Sequence, residues 1–137
     1  MAWEHFHHEA DIGVRGRGDS LAEAFEQAAL AMTAVIVAPE AVVDRQAVEV
    51  HVSAADNEIL LTEWLNALVY EMATRKMLFR RFEVEVEGSE LHGRAWGEPI
   101  DVARHQPTVE IKGATYTELR VARGSDGRWL AQCVVDV

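Results

Sequence analysis

The side chains best suited to chemistry in this 137-residue chain are oxygen donors at its two ends. Asp11 lies in His8-Glu9-Ala10-Asp11-Ile12-Gly13, at the end of an alternating stretch that reads as the first strand. Asp136 is followed by Val137. An acid where a strand meets a glycine turn is either a turn former or a ligand. Carboxylate and main-chain carbonyl oxygens suit hard cations such as Ca²⁺ or Mg²⁺, not zinc. Two aspartates and one further residue fall short of the roughly 6–8 oxygens calcium takes, so water or a partner would supply the rest. A second group comprises Glu98, Asp101, His105, Glu110 and Lys112, in a stretch broken by Pro99 and Pro107. A polar loop on a rigid scaffold is a common place for contacts with a partner. The composition fits an ordinary solvated loop equally well.

Other chemistries find less support. Cys133 is the only cysteine and lies within the apolar run Leu130–Val135. It reads as a small buried hydrophobe in a reducing compartment. Ser20, Ser53, Ser89 and Ser125 occupy helix starts or turns, and none sits in a G-x-S-x-G elbow. His7 and His8 fall on opposite faces of an alternating strand and would not ligate one ion together. No Cys or His spacing suggests a zinc site. Gly13, Gly16 and Gly18 lack the strand–GxxxxGK[ST]–helix pattern of a phosphate loop. They read as loosening the chain into a turn before a helix. No catalytic residue is assigned, and an enzyme stays open only as an alternative.

Charge narrows the partners. Lys and Arg total 13 against 23 acids, a formal net charge of −10. The densest basic spot, Arg75-Lys76 with Arg80-Arg81, is too small for the phosphate-neutralising footprint of a nucleic-acid binder. A role near RNA would run through a basic protein partner. No apolar run approaches the about 18 residues of a membrane span, and the first residues carry no signal-peptide pattern. The expected location is the cytoplasm.

The elements that must position these groups follow from periodicity. Residues 3–8 alternate as a strand. Ser20-Leu21-Ala22-Glu23 is a capping box. Leu21, Ala24, Phe25, Ala28, Met32, Val35 and Ile36 then mark an amphipathic helix. Val48, Val50 and Val52 alternate with charged residues. Asp56 is the N-cap of a second helix with the wide apolar face of Leu60, Leu61, Trp64, Leu65 and Leu68. Phe82, Val84 and Val86 alternate with glutamates that read as a solvated face. Gly88-Ser89 turns the chain into an antiparallel partner over Leu91–Gly97. Leu119–Ala122 and Trp129–Val137 form a hairpin about Gly124-Ser125-Asp126-Gly127. The reading is α+β: one compact domain over residues 1–137, with two amphipathic helices on a mostly antiparallel sheet.

Six motifs in register resemble one family. They are His8-Glu9-Ala10-Asp11-Ile12-Gly13-Val14, Leu21-Ala22-Glu23-Ala24-Phe25, Trp64-Leu65-Asn66, Trp96-Gly97-Glu98-Pro99, Glu110-Ile111-Lys112-Gly113-Ala114-Thr115-Tyr116 and Val135-Asp136-Val137. Together they are similar to archease over essentially the whole chain. Glu9 replaces the threonine usual in the first motif, and Gly113 stands where alanine is common. The resemblance implies a small accessory protein of RtcB-type GTP-dependent RNA ligases, acting in tRNA splicing and RNA repair. Such proteins promote the ligase–guanylate intermediate and repeated turnover. It also implies a divalent ion, calcium in the family, on Asp11, Asp136 and the backbone carbonyl of Val137. Mg²⁺ or Mn²⁺ are alternatives. A general chaperone or modulator of RNA-modifying enzymes, such as a tRNA methyltransferase, is the other function class left open.

Overall fold

The computed structural model describes residues 2–137. Its first hairpin pairs β1 (Trp3–His8) antiparallel with β2 (Asp11–Gly18), in register from Trp3 opposite Gly16 to His8 opposite Asp11. The turn is Glu9-Ala10, with Glu9 in the left-handed region at φ 51°. Asp11 therefore opens the second strand and does not close the first. The three glycines expected to loosen the next segment lie inside β2 instead, because the packing there is too close for side chains. A Cβ on Gly16 would stand 2.2 Å from the backbone nitrogen of Ala28. On Gly13 it would stand 2.3 Å from the ring of Phe6. The glycines let a helix press on one face of β2 and an aromatic ring on the other.

That helix is α1 (Leu21–Ile36), started by Ser20, whose Oγ accepts the Glu23 amide at 3.1 Å. A 3-10 turn at Pro39–Ala41 leads into β3 (Gln46–Ser53). Asp56 caps α2 (Asn57–Arg75) by accepting the Ile59 amide at 2.8 Å. Lys76 ends α2 in the left-handed conformation. Then come β4 (Met77–Glu87) and β5 (Glu90–Pro99), with a bulge between Phe79 and Arg81. The stretch expected to be wholly irregular holds a one-turn helix, α3 (Val102–His105), and a two-residue strand, β6 (Gly113–Ala114). β7 (Arg120–Arg123) and β8 (Trp129–Asp136) complete the chain.

Two antiparallel sheets result. One runs β1-β2-β8-β6, with β7 also paired to β8, and the other runs β3-β5-β4. The two long helices on antiparallel strands match the α+β reading. α1 touches both β2 and β4, and α2 meets strands of both sheets. The buried apolar side chains of sheets and helices form one cluster, with Trp64, Phe25, Phe79 and Met32 among the largest. Trp64 anchors α2 to α1 by donating Nε1–H to the Phe25 carbonyl at 3.1 Å. Glu83, Glu85 and Glu87 on β4 are exposed, as the alternation predicts.

Side chains of the helices also close strand edges. Glu26 of α1 accepts the Val84 amide of β4 at 2.9 Å. Glu58 of α2 accepts the Val121 amide of β7 at 3.1 Å. Among the described residues, no helix is long and apolar enough to cross a membrane.

Candidate functional site

β2 and β8 run antiparallel with Ile12 opposite Val135, Val14 opposite Cys133 and Gly16 opposite Ala131. The paired register stops at Ile12 and Val135; Asp11 and Asp136 are the next residue on each strand, and continuing the register one step would set them opposite each other. Side chains alternate across a sheet, so residues directly opposite share a face. Val14, Cys133 and Ala131 fill the face against α1 and are fully buried. Asp11 and Asp136 fall one position out of phase with them, on the outward face, where Phe6 covers Gly13 and Arg15 stacks on Phe6 at 4.6 Å. The register extends on both sides. His8 lies opposite Asp11 on β1, and Gly113 lies opposite Asp136 on β6. Four strands thus align His8, Asp11, Asp136 and Gly113 in one row at one end of the larger sheet. Asp11 is half-buried, Asp136 exposed and Val137 half-buried.

The donor set of this row is chemically consistent with a hard cation. It offers two carboxylates from adjacent strands, with the main-chain oxygen of Val137 next to one of them. Among the described residues, no three His, Cys, Asp or Glu side chains are grouped to hold a metal ion. Two carboxylates and one main-chain oxygen would fill only part of the coordination sphere of such a cation.

The loop residues separate into two groups. Glu98 and His105, expected to face a partner, are 2 % and 5 % exposed and hold the loop from within. Glu98 accepts the Val43 amide at 2.8 Å, Arg104 Nη2 at 2.6 Å and His105 Nε2 at 2.9 Å, with Arg45 Nε at 3.5 Å. The Asp101 amide donates to His105 Nδ1 at 2.8 Å, so the imidazole proton directed at Glu98 sits on Nε2. The Arg104 guanidinium leads in holding the Glu98 carboxyl down at about 2, helped by His105 and the Val43 amide against the opposing effect of burial. Asp101 caps α3 by accepting the Arg104 amide at 3.2 Å, and it is exposed. Buried charge with this many donors fixes the path of the chain rather than offering a surface. Thr108 then ties the loop to the end of α1, its hydroxyl donating to the Val35 carbonyl at 3.0 Å.

Glu110 and Lys112 are exposed. Glu110 borders an apolar cleft of about 480 Å³ between the end of α2 and this loop, with Met72, Ile100 and Ile111 in its walls. Lys112 comes next to the acidic row, because its amide donates to the Asp136 carbonyl at 2.8 Å. Of the five loop residues, Lys112 is the one that main-chain hydrogen bonding joins directly to an aspartate of the row.

Cys133 faces the core, and burial pushes its thiol up to about 12, far from thiolate chemistry at neutral pH. His5 donates through Nε2–H to the Ala31 carbonyl at 2.7 Å, on the face opposite His8. One residue of consequence has a signal in the sequence only as part of a motif: Asn66 of α2. Its Oδ1 accepts the Ala114 amide at 2.8 Å, and its Nδ2 donates to the Ala114 carbonyl at 3.3 Å.

Fold and site together define a class: a small α+β protein of two antiparallel sheets and two long helices, with an acidic row across the end of the larger sheet. The sequence matches the Archease protein family (MTH1598/TM1083) over residues 3–137. It is 42 % identical to the protein archease of Pyrococcus abyssi over 139 aligned positions, covering 98 % of each chain. It is 36 % identical to that of Methanopyrus kandleri, covering 100 % of both. The solution structure of protein 1598 from Methanobacterium thermoautotrophicum superposes with a TM-score of 0.85 at 31 % identity, covering 99 % of each chain. The crystal structure of a Thermotoga maritima protein described as an archease and possible chaperone shares the fold, with a TM-score of 0.61 at 21 % identity over 96 % of this chain and 94 % of that one. The chain belongs to the archease family.

Proposed function

We propose that this archease is a non-catalytic activating partner of an RtcB-type GTP-dependent RNA ligase in the cytoplasm, in tRNA splicing and RNA repair. It promotes formation of the ligase–guanylate intermediate and repeated turnover, and it does not bind RNA itself. What supports this reading is membership of the archease family over residues 3–137, together with the placing of Asp11 and Asp136 at the neighbouring ends of β2 and β8.

Asp11, Asp136 and the main-chain oxygen of Val137 would hold a divalent ion, Ca²⁺ in the first place and Mg²⁺ or Mn²⁺ as alternatives. When bound, such an ion neutralises charge and orients phosphate oxygens. The protein's own residues do the rest. Asp11 and Asp136 would present their carboxylates from the start of β2 and the end of β8. Lys112 beside the row and Glu110 at the cleft offer exposed charges of opposite sign for docking. The net charge of −10 disfavours direct contact with RNA and suits a basic protein surface.

The test is ligase guanylylation with the cognate enzyme, comparing the wild type with Asp11→Ala and Asp136→Ala. Both variants should fold and lose stimulation. Full stimulation by folded variants would overturn the role of the row. Charge reversal at Glu110 and Lys112 should weaken stimulation and leave cation binding intact. Co-purification with a tRNA methyltransferase or another RNA-modifying enzyme, without stimulation of any ligase, would favour the chaperone or modulator reading instead. That reading draws support from the description of the Thermotoga maritima structure as a possible chaperone.

A further inference from the structure

β8 reaches its end at Asp136 with little to hold it. On the β2 side, the register runs out at Ile12 opposite Val135. On the other side stands β6, two residues long, pairing Gly113 with Asp136 and Ala114 with Val135. The segment after β6 keeps to β8 through the Thr115 amide and hydroxyl on the Val134 carbonyl, at 3.0 and 2.8 Å, and the Val134 amide on the Thr117 carbonyl at 3.0 Å, so the short strand is tied at its Thr115 side and least supported at its Lys112 side. Its free edge turns toward α2, where Asn66 meets Ala114 with both halves of its amide, accepting from the amide at 2.8 Å and donating to the carbonyl at 3.3 Å. The side chain thus takes the place that a peptide group of a next strand would fill. Gly113 makes room for it, since a Cβ there would stand 3.2 Å from Asn66 Oδ1. From β6 the link passes through the Lys112 amide to the Asp136 carbonyl at 2.8 Å.

We infer that Asn66 is the positioning residue of the acidic row: it clamps β6 onto β8 and thereby sets the backbone of Asp136 and Val137 and the placement of Lys112. Asn66 acts through β6 and touches neither aspartate. The inference rests on the proposed cation role of the row, but its structural half is testable without any cation. The carboxamide carries donor and acceptor on one planar group, which serves both Ala114 atoms at once. Asn66→Ala removes both bonds. Asn66→Asp keeps the acceptor for the Ala114 amide and discards the donor.

The experiment uses the full chain as wild type, Asn66→Ala, Asn66→Asp and, as a matched destabilised control, Ser20→Ala at the far N-cap of α1. Amide hydrogen exchange is read at Lys112 against the interior amides of β8. Terbium(III), a luminescent stand-in for calcium, is titrated into each protein. In Asn66→Ala, exchange at Lys112 should quicken selectively, and terbium affinity should fall about 10-fold, the loss usual when a ligand's hydrogen-bonded support is removed. Asn66→Asp should lie between. Ser20→Ala should change neither quantity selectively. Equal exchange and equal terbium affinity in Asn66→Ala and Ser20→Ala would overturn the inference. Failure of the wild type to bind terbium would overturn the cation reading instead, and exchange at Lys112 would then decide the role of Asn66 alone.

Discussion

Two like charges directly opposite each other on neighbouring strands oppose folding, and that cost gives the acidic row a stability signature that needs no partner. Cross-strand side chains stand about 5 Å apart, where two unit charges in water repel by roughly 0.8 kcal/mol. Favourable cross-strand pairs are worth about 0.2–1 kcal/mol, and opposed like charges destabilise, taken here on the same scale. Asp136→Asn keeps the shape and removes one charge, so without divalent ions it should be more stable than the wild type by about that amount. For a chain of this length, 1 kcal/mol moves the melting temperature by roughly 3–5 °C, which sets the expected rise at about 1–5 °C. Calcium should reverse the order. A ligand at 100 times its dissociation constant stabilises by about 2.7 kcal/mol, or roughly 8–13 °C here, and the asparagine variant should lose most of that gain. Melting both proteins in a chelator and in a calcium series measures each difference. A variant less stable than the wild type in chelator, or one with an undiminished calcium response, would refute the argued opposition of the two aspartates.

Two other perturbations probe the scaffold. Glu98 has a folded pKa lowered to about 2, so its contribution is complete above the ordinary carboxylate range and is lost as pH falls from about 4.5 through about 2. Melting temperature followed down that window should fall less steeply in Glu98→Gln than in the wild type, from a lower starting value at neutral pH; parallel curves would remove Glu98 from the acid response. Gly16→Ala puts a methyl 2.2 Å from the Ala28 nitrogen and 2.4 Å from the Ala24 carbonyl oxygen, both helix backbone. α1 must move off β2, which costs about 1–3 kcal/mol or more by overpacking; an unchanged urea midpoint would contradict the close approach.

The local chemistry of this fold is open to reading in the sequence, and the long-range chemistry much less so. Ser20 with Glu23 and Asp56 before Asn57 mark both long helices, because a cap needs only its neighbours. The alternation around Val84 and Val50 marks strands for the same reason. Gly13, Gly16 and Gly18 mislead, because the groups that make glycine necessary come from Phe6 on one face and α1 on the other. Glu98 misleads for a related reason. Its charge suggests solvent, while the donors that let it stay buried include Val43 and Arg45, which lie far from it in sequence. The joining of Asp11 to Asp136 depends on which strands become neighbours, a choice that neither segment records. In the sequence, oxygen-donor chemistry and the family resemblance single out the two, and the β2–β8 pairing brings the ends of their strands side by side.

The carboxylates of Glu26 and Glu58 occupy outward amides of β4 and β7, places where an extended segment of another chain would otherwise add itself. Burial raises the pKa of Glu26, so keeping it ionised in that place works against stability. What the molecule gains is restraint. Strand addition would sequester the strand edge against whatever extended segment came first, a poor property in a protein proposed to act repeatedly on a ligase. At these two positions, recognition of another chain is left to side chains.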